Sequence, residues 1–94
     1  MAKTSTGAWF VYIVQCVDGT LYTGITTELV RRTRQHNAGT AARYTRSRRP
    51  VTLVYSEPQR DQSTALKREA AIKKLARRQK MSLIRFPSPR SLVT

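Results

Sequence analysis

WFVYIVQCVDGTLYTGI, residues 9–25, decides the architecture. Trp9 to Cys16 is β-branched and aromatic, the composition of a strand buried on both faces. Asp18-Gly19 is a hairpin signal, and LYTGI returns as the second strand. Loop length then sets where side chains point, because a one-residue slip flips them to the other face. A two-residue loop at Asp18-Gly19 puts Tyr22 opposite Gln15, away from Tyr12. A three-residue loop, Val17-Asp18-Gly19 with a left-handed Gly19, pairs Cys16 with Thr20, Val14 with Tyr22, and Tyr12 with Gly24. The second register is favoured. It sets Tyr12 and Tyr22 diagonally on one face, about 7–8 Å apart at the backbone. Gly24 would then leave a gap beside the Tyr12 ring where a substrate can approach. The plain alternative is two unrelated core tyrosines.

Outward from the hairpin, Thr26 and Thr27 are N-cap candidates, and Glu28 carries the negative charge a helix start favours. A first helix runs to about Ala38, where Gly39 stops it. GTAARYTRSRRP (39–50) reads as a basic loop. VTLVYSE (51–57) is a third strand between Pro50 and Pro58. Asp61 or Ser63 caps a second helix, STALKREAAIKKLA (63–76), and a short third helix follows around RQKMSLIR (78–85). The order ββαβαα predicts an α+β fold, a small three-stranded antiparallel sheet flanked by helices. Residues 9–86 form one domain, with a flexible N-terminus over 1–8 and a loose C-terminal tail over 87–94.

The 94 residues carry 18 Lys+Arg against 5 Asp+Glu, a net charge of +13. Such an excess on one small domain favours a polyanionic partner, and nucleic acid is the usual one. An anionic membrane surface is the rival, but no apolar run approaches the roughly 18 residues of a spanning helix. MAKTSTGA lacks the apolar stretch of a signal peptide, so a cytoplasmic protein is expected. The lone Cys16 excludes an internal disulfide and a multi-cysteine zinc site, and reads as a small buried hydrophobe.

In the first helix Leu29, Arg32, Thr33 and His36 share one face, while Arg31 and Arg34 point elsewhere. An arginine and a histidine at i and i+4 on an inward face suit a functional site; a surface histidine beside an arginine is the plain alternative. Among the acids, Asp18 serves the turn, Glu28 the helix start, Glu57 ends a strand, and Asp61 is a cap candidate. Glu69 falls in the stripe formed by Ala65, Ile72 and Ala76, flanked by Leu66 and Leu75. A carboxylate there is costly unless paired or metal-bound. An i,i+4 pair with Lys73 accounts for its charge but not its inward position. Tyr12, Tyr22, Arg32, His36 and Glu69 together form a set suited to phosphoryl chemistry. Mg²⁺ uses one or two carboxylates plus phosphate oxygens, so one Glu is enough. Arg43, Arg46, Arg48 and Arg49, with Arg31 and Arg34, suit phosphate contacts, and Tyr44 suits stacking on an unpaired base.

These residues resemble the GIY-YIG nuclease family, and most closely its small stand-alone bacterial branch, the YhbQ-like proteins. Val11-Tyr12-Ile13 stands at the first motif and Tyr22-Thr23-Gly24 at the second. RRxxQHNxG (31–39), YTxxRRPVxLVYSE (44–57) and ALKRExxIKKL (65–75) continue the likeness, which covers roughly Trp9 to Ile84. The resemblance implies a metal-dependent DNA endonuclease using Mg²⁺ or Mn²⁺, cutting by in-line hydrolysis to leave a 5′-phosphate and a 3′-hydroxyl. It implies Tyr12 as general base, Tyr22 as an orienting partner, Arg32 as the transition-state cation and Glu69 as the metal ligand. The resemblance also sets His36 at a position where relatives carry a histidine or tyrosine near the scissile phosphate. Ile25 stands where some relatives have a lysine that lowers the base's pKa, so Tyr12 and His36 are both candidates for the base. The expected substrate is DNA that is single-stranded, branched or damaged duplex, with no small-molecule cofactor. A nucleic-acid-binding module of the same fold with little cleavage is the runner-up, and a basic adaptor for acidic proteins or membranes the third reading.

Overall fold

A computed structural model describes residues 8–86, so the expectations for residues 1–7 and 87–94 lie outside the described residues. The elements are β1 (Trp9–Cys16), β2 (Leu21–Thr26), α1 (Leu29–Ala38), α2 (Arg43–Arg46), β3 (Val51–Gln59), α3 (Gln62–Lys73) and α4 (Arg77–Arg85). Both strand pairings are antiparallel and the sheet order is β2-β1-β3, which makes β1 the central strand. The fold is the expected α+β sheet flanked by helices.

Central position explains why β1 needs no polar face. Val11 and Ile13 pack on one side with Ala65 and Ile72 of α3 and Leu83 and Ile84 of α4. Tyr12, Val14 and Cys16 pack on the other with Val51 and with Leu29 of α1. The three-residue turn holds: Val14 pairs with Tyr22 and Tyr12 with Gly24. Cys16 N–H donates to Thr20 O at 2.8 Å, and Gly19 takes φ 87°, a left-handed value that glycine adopts without a Cβ penalty. Asp18 Oδ1 accepts from Thr20 N–H and Oγ1–H at 3.1 and 2.7 Å, which locks the turn.

The ends of α1 follow the glycine rule at one end only. Gly39 (φ 82°) closes the helix, with Thr40 N–H donating to Gln35 O at 3.0 Å. At the other end neither threonine caps: Glu28 is the N-cap and makes no side-chain cap bond. Thr26 Oγ1 instead accepts Glu28 N–H at 3.0 Å, a local turn that competes with capping. Asn37 Oδ1 accepts Val51 N–H at 2.7 Å and its amide donates to Val51 O at 3.1 Å, tying α1 to the start of β3 as a strand neighbour would.

Two expectations change. The basic loop contains a helical turn, α2, too short to show any periodicity and held by the burial of Thr45. The stripe on α3 is shorter than expected: the helix ends at Lys73, Ala76 is the N-cap of α4, and Leu66 is 47% exposed. Asp61, not Ser63, caps α3, accepting Thr64 N–H at 2.8 Å.

Glu57 has a role its place at a strand end does not suggest. It is buried, and its carboxylate accepts from Tyr55 Oη–H (2.5 Å), Gln59 Nε2–H (2.8 Å) and Arg68 Nε–H (2.7 Å). Arg68 also reaches the second oxygen at 3.3 Å, so the pair is bidentate and joins β3 to α3. Removing one partner of a buried pair costs about 3–5 kcal/mol, and the partly exposed Arg68 reduces that through solvent. Glu57→Ala is therefore expected to lower unfolding stability by about 2–3 kcal/mol, read from the midpoint of a urea melt at unchanged slope.

Candidate active site

The hairpin register brings Tyr12 and Tyr22 to the α1 side of the sheet, where His36 is the helix's one buried residue. Tyr12 Oη lies 2.7 Å from His36 Nε2. The rings of Tyr12 and Tyr22 meet that of His36 edge-on at 5.8 and 5.2 Å between centroids. Gly24 makes this possible by lacking a side chain: a Cβ there would stand 2.7 Å from Tyr12 Oη. The space opposite Tyr12 is thus filled by the tyrosine's own hydroxyl, not left open for a substrate.

His36 Nδ1 is 2.8 Å from Thr45 Oγ1, and that hydroxyl is itself 3.2 Å from Ala42 O. Thr45 has one proton to give. Spending it on the Ala42 carbonyl leaves its oxygen as an acceptor, so Nδ1 carries the imidazole proton and Nε2 accepts from Tyr12 Oη–H. Thr45 was not among the candidate site residues; its signal in the sequence is its place as the second residue of the YTxxRRP stretch.

The electrostatics follow from burial. Loss of water pushes the Tyr12 hydroxyl well above the ordinary phenol range, and Tyr22 adds to this; the Arg32 cation opposes and the Glu69 anion reinforces it. Burial, then the Arg32 cation, holds His36 below its usual value of 6.5. The pair is therefore a neutral imidazole facing a neutral tyrosine.

Arg32 comes from the same face of α1, one turn before His36. Its Nε is buried with no hydrogen-bond partner. It lines a polar cavity of about 130 Å³ together with Thr26, Thr27, Glu28, Arg31 and Gln35. A buried guanidinium N–H without an acceptor is costly and suits an anion arriving from outside. Glu69 enters from α3, between Ala65 and Ile72, with its side chain 18% exposed and 3.3 Å from Lys73 Nζ. The i,i+4 pair with Lys73 forms, and the Glu69 charge is the smallest of the influences that hold the proton on Tyr12.

The chain's polyanion-binding candidates divide. Arg31, Arg34, Arg43 and Arg46 are exposed. Arg48 and Arg49 are engaged with the protein itself. Arg48 pairs with Asp18 at 3.2 Å and donates to Tyr44 O, while Arg49 donates to Arg46 O and Asn37 O. Tyr44 stacks on Tyr22 at 5.9 Å and lies 4.0 Å beneath the Arg48 guanidinium. A base can stack on Tyr44 only in competition with these neighbours.

Among the described residues no group of three or more His, Cys, Asp or Glu side chains converges on one point. A single inward carboxylate fits Mg²⁺ or Mn²⁺, whose other ligands are water and substrate oxygens. No helix among the described residues is long and apolar enough to cross a membrane.

The hairpin presents two tyrosines to an Arg/His helix face, and a later helix carries an inward glutamate. Residues 8–82 match the GIY-YIG catalytic domain, and the chain belongs to that family, a nuclease superfamily whose members act on DNA and generally use divalent metals. It is similar to small stand-alone proteins: 61% identical over 84 residues to a UPF0213 protein of Desulfotalea psychrophila, covering 88% of this chain and 76% of the relative. A UPF0213 protein of Halobacterium salinarum is 52% identical over 73 residues, covering 78% of this chain and 95% of the relative. The solution structure of UPF0213 protein BH0048 from Bacillus halodurans superposes with a TM-score of 0.56 at 35% identity, covering 92% of this chain and 94% of that one.

Proposed function

We propose that this protein is a metal-dependent DNA endonuclease that hydrolyses phosphodiesters by in-line attack of water. The observation that carries the reading is the unpartnered Arg32 Nε beside a Tyr12–His36 pair already joined by a hydrogen bond. A binding module needs cations facing solvent; it has no use for a buried proton couple.

Tyr12 is a poor base as a free tyrosinate, because its environment holds the proton on. Its oxygen can nevertheless accept a proton from water while its own proton passes to His36 Nε2, 2.7 Å away. Thr45 holds the imidazole in the tautomer that receives it. Tyr22 closes the side of the couple and orients water or phosphate. Arg32 donates to a nonbridging phosphate oxygen and stabilises the charge that grows there. Glu69 would hold Mg²⁺ or Mn²⁺, which supplies Lewis-acid charge to the phosphate oxygens. The exposed Arg31, Arg34, Arg43 and Arg46 hold backbone phosphates without reading bases, so selection is by DNA structure rather than sequence.

The test is cleavage of labelled single-stranded, duplex and branched DNA with Mg²⁺ or Mn²⁺, comparing wild type with Arg32→Ala. The variant is expected to lose about 10²–10³ in kcat while its affinity changes little. Equal, trace cutting by both proteins would move the protein to the class of binding modules.

A further inference from the structure

Two groups of exposed cations lie on opposite sides of the sheet. Arg31, Arg34, Arg43 and Arg46 belong to α1 and α2, on the side of Tyr12 and Val14. α3 and α4 cover the other side, over Val11 and Ile13. There, Lys67, Lys74, Arg78 and Arg85 are all exposed, and among the described residues none has a carboxylate within ion-pair distance. The ion pairs present use Arg48, Arg60, Arg68 and Lys73 instead. α4 contains no acid, and the only acid of α3 is the inward Glu69. Helical spacing makes this a surface: residues 67, 70, 71 and 74 share the outer face of α3, and 78, 82 and 85 that of α4. The inner faces are occupied by Ala65, Ile72, Leu83 and Ile84.

Nothing in the proposed chemistry uses this second surface. A straight duplex lying on α1 and α2 cannot also reach cations that point away from the opposite side of the sheet. The candidate site, however, draws on both sides, with Arg32 and His36 from α1 and Glu69 from α3. A phosphate at that site sits between two cationic surfaces. We infer that the α3–α4 surface, through Lys67, Lys74, Arg78 and Arg85, binds the phosphate backbone of a second duplex segment, so that the protein engages two arms of a branched or sharply bent DNA. The occupant follows from charge complementarity: four cations with no carboxylate within ion-pair distance among the described residues suit phosphates rather than a folded protein partner.

This inference rests on the nucleic-acid reading of the site but not on cleavage, so binding is measured in EDTA. Anisotropy titrations over a range of salt compare a fluorescent four-way junction with a duplex of one of its arms. Each phosphate contact adds about 0.9 to the slope of log K against log salt. Wild type should therefore show a junction slope steeper than the duplex slope by roughly 2–4. Replacing the four residues by glutamine should remove that increment and leave duplex affinity within about twofold. A melt of the variant confirms folding, since all four side chains are exposed. Equal slopes for the two probes in wild type, or equal losses on both probes in the variant, would overturn the second-arm surface. So would binding to anionic vesicles that the variant loses while its junction affinity is unchanged, which would assign the surface to membranes. A steeper junction slope without metal-dependent cutting would keep this surface and end the nuclease reading instead.

Discussion

Glu69→Gln is expected to lower metal-dependent cleavage about a thousand-fold while leaving DNA affinity within a few-fold of wild type. The argument is one of charge and place. Glu69 is the only acid on the inward face of α3, and its side chain is largely buried. Its negative charge acts on Tyr12, so it stands within electrostatic reach of the proton couple. The amide keeps the size and the hydrogen-bonding oxygen but cannot neutralise a dication. Metal assistance to phosphoryl transfer is worth several kcal/mol, which at about 1.4 kcal/mol per tenfold predicts a loss of roughly a thousand-fold in kcat. The partly exposed Lys73 loses its partner at little cost, because surface i,i+4 pairs contribute only about 0.3–0.5 kcal/mol. A stability change beyond that, or a variant that cuts as fast as wild type, would return Glu69 to the role of a simple partner for Lys73.

Much of this site was legible because short-range rules fix it. The period of two along β1, together with Gly19 as a left-handed turn residue, set the register that puts Tyr12 and Tyr22 on one side. The 3.6-residue period put Arg32 and His36 on the inward face of α1 and Glu69 on that of α3. Gly24 was correctly placed opposite Tyr12, but its purpose was misread: whether an empty Cβ position is filled by a ligand or by a neighbour depends on a rotamer.

What the sequence hid depends on pairs far apart in the chain. Thr45 matters because it meets His36 across the α1–α2 corner, and nothing within four residues of it announces that. Glu57 and Arg68 form their bidentate pair only once α3 packs beside β3. Arg48 and Arg49 read as phosphate ligands from charge alone, yet Asp18 and the carbonyls of Tyr44, Arg46 and Asn37 already hold them. Composition counts charges but does not reveal which are engaged. That distinction separates the exposed, unpaired cations on each side of the sheet from those that build the fold.

The pH dependence of cleavage distinguishes the two candidate bases. With His36 as the terminal proton acceptor, the active form is the neutral imidazole hydrogen-bonded to a protonated Tyr12. Burial and Arg32 hold the His36 pKa below its ordinary value. The wild-type rate should then be flat through neutral pH and fall about tenfold per pH unit only below the depressed value. Acid also weakens the fold: between that value and about 6.5 the unfolded chain binds a proton that the folded chain does not, so stability declines as pH falls through this window. A circular-dichroism signal recorded alongside separates the two effects. In His36→Gln the only remaining base is the Tyr12 oxygen as tyrosinate, whose pKa lies above the ordinary phenol range. That variant should lose about 10²–10⁴ at pH 7 and regain rate about tenfold per pH unit up to the limit of folding, whereas Tyr12→Phe stays inactive throughout. A wild-type rate that itself climbs tenfold per unit between pH 7 and 9 would make free tyrosinate the base. A flat profile in His36→Gln would remove the histidine from the proton path.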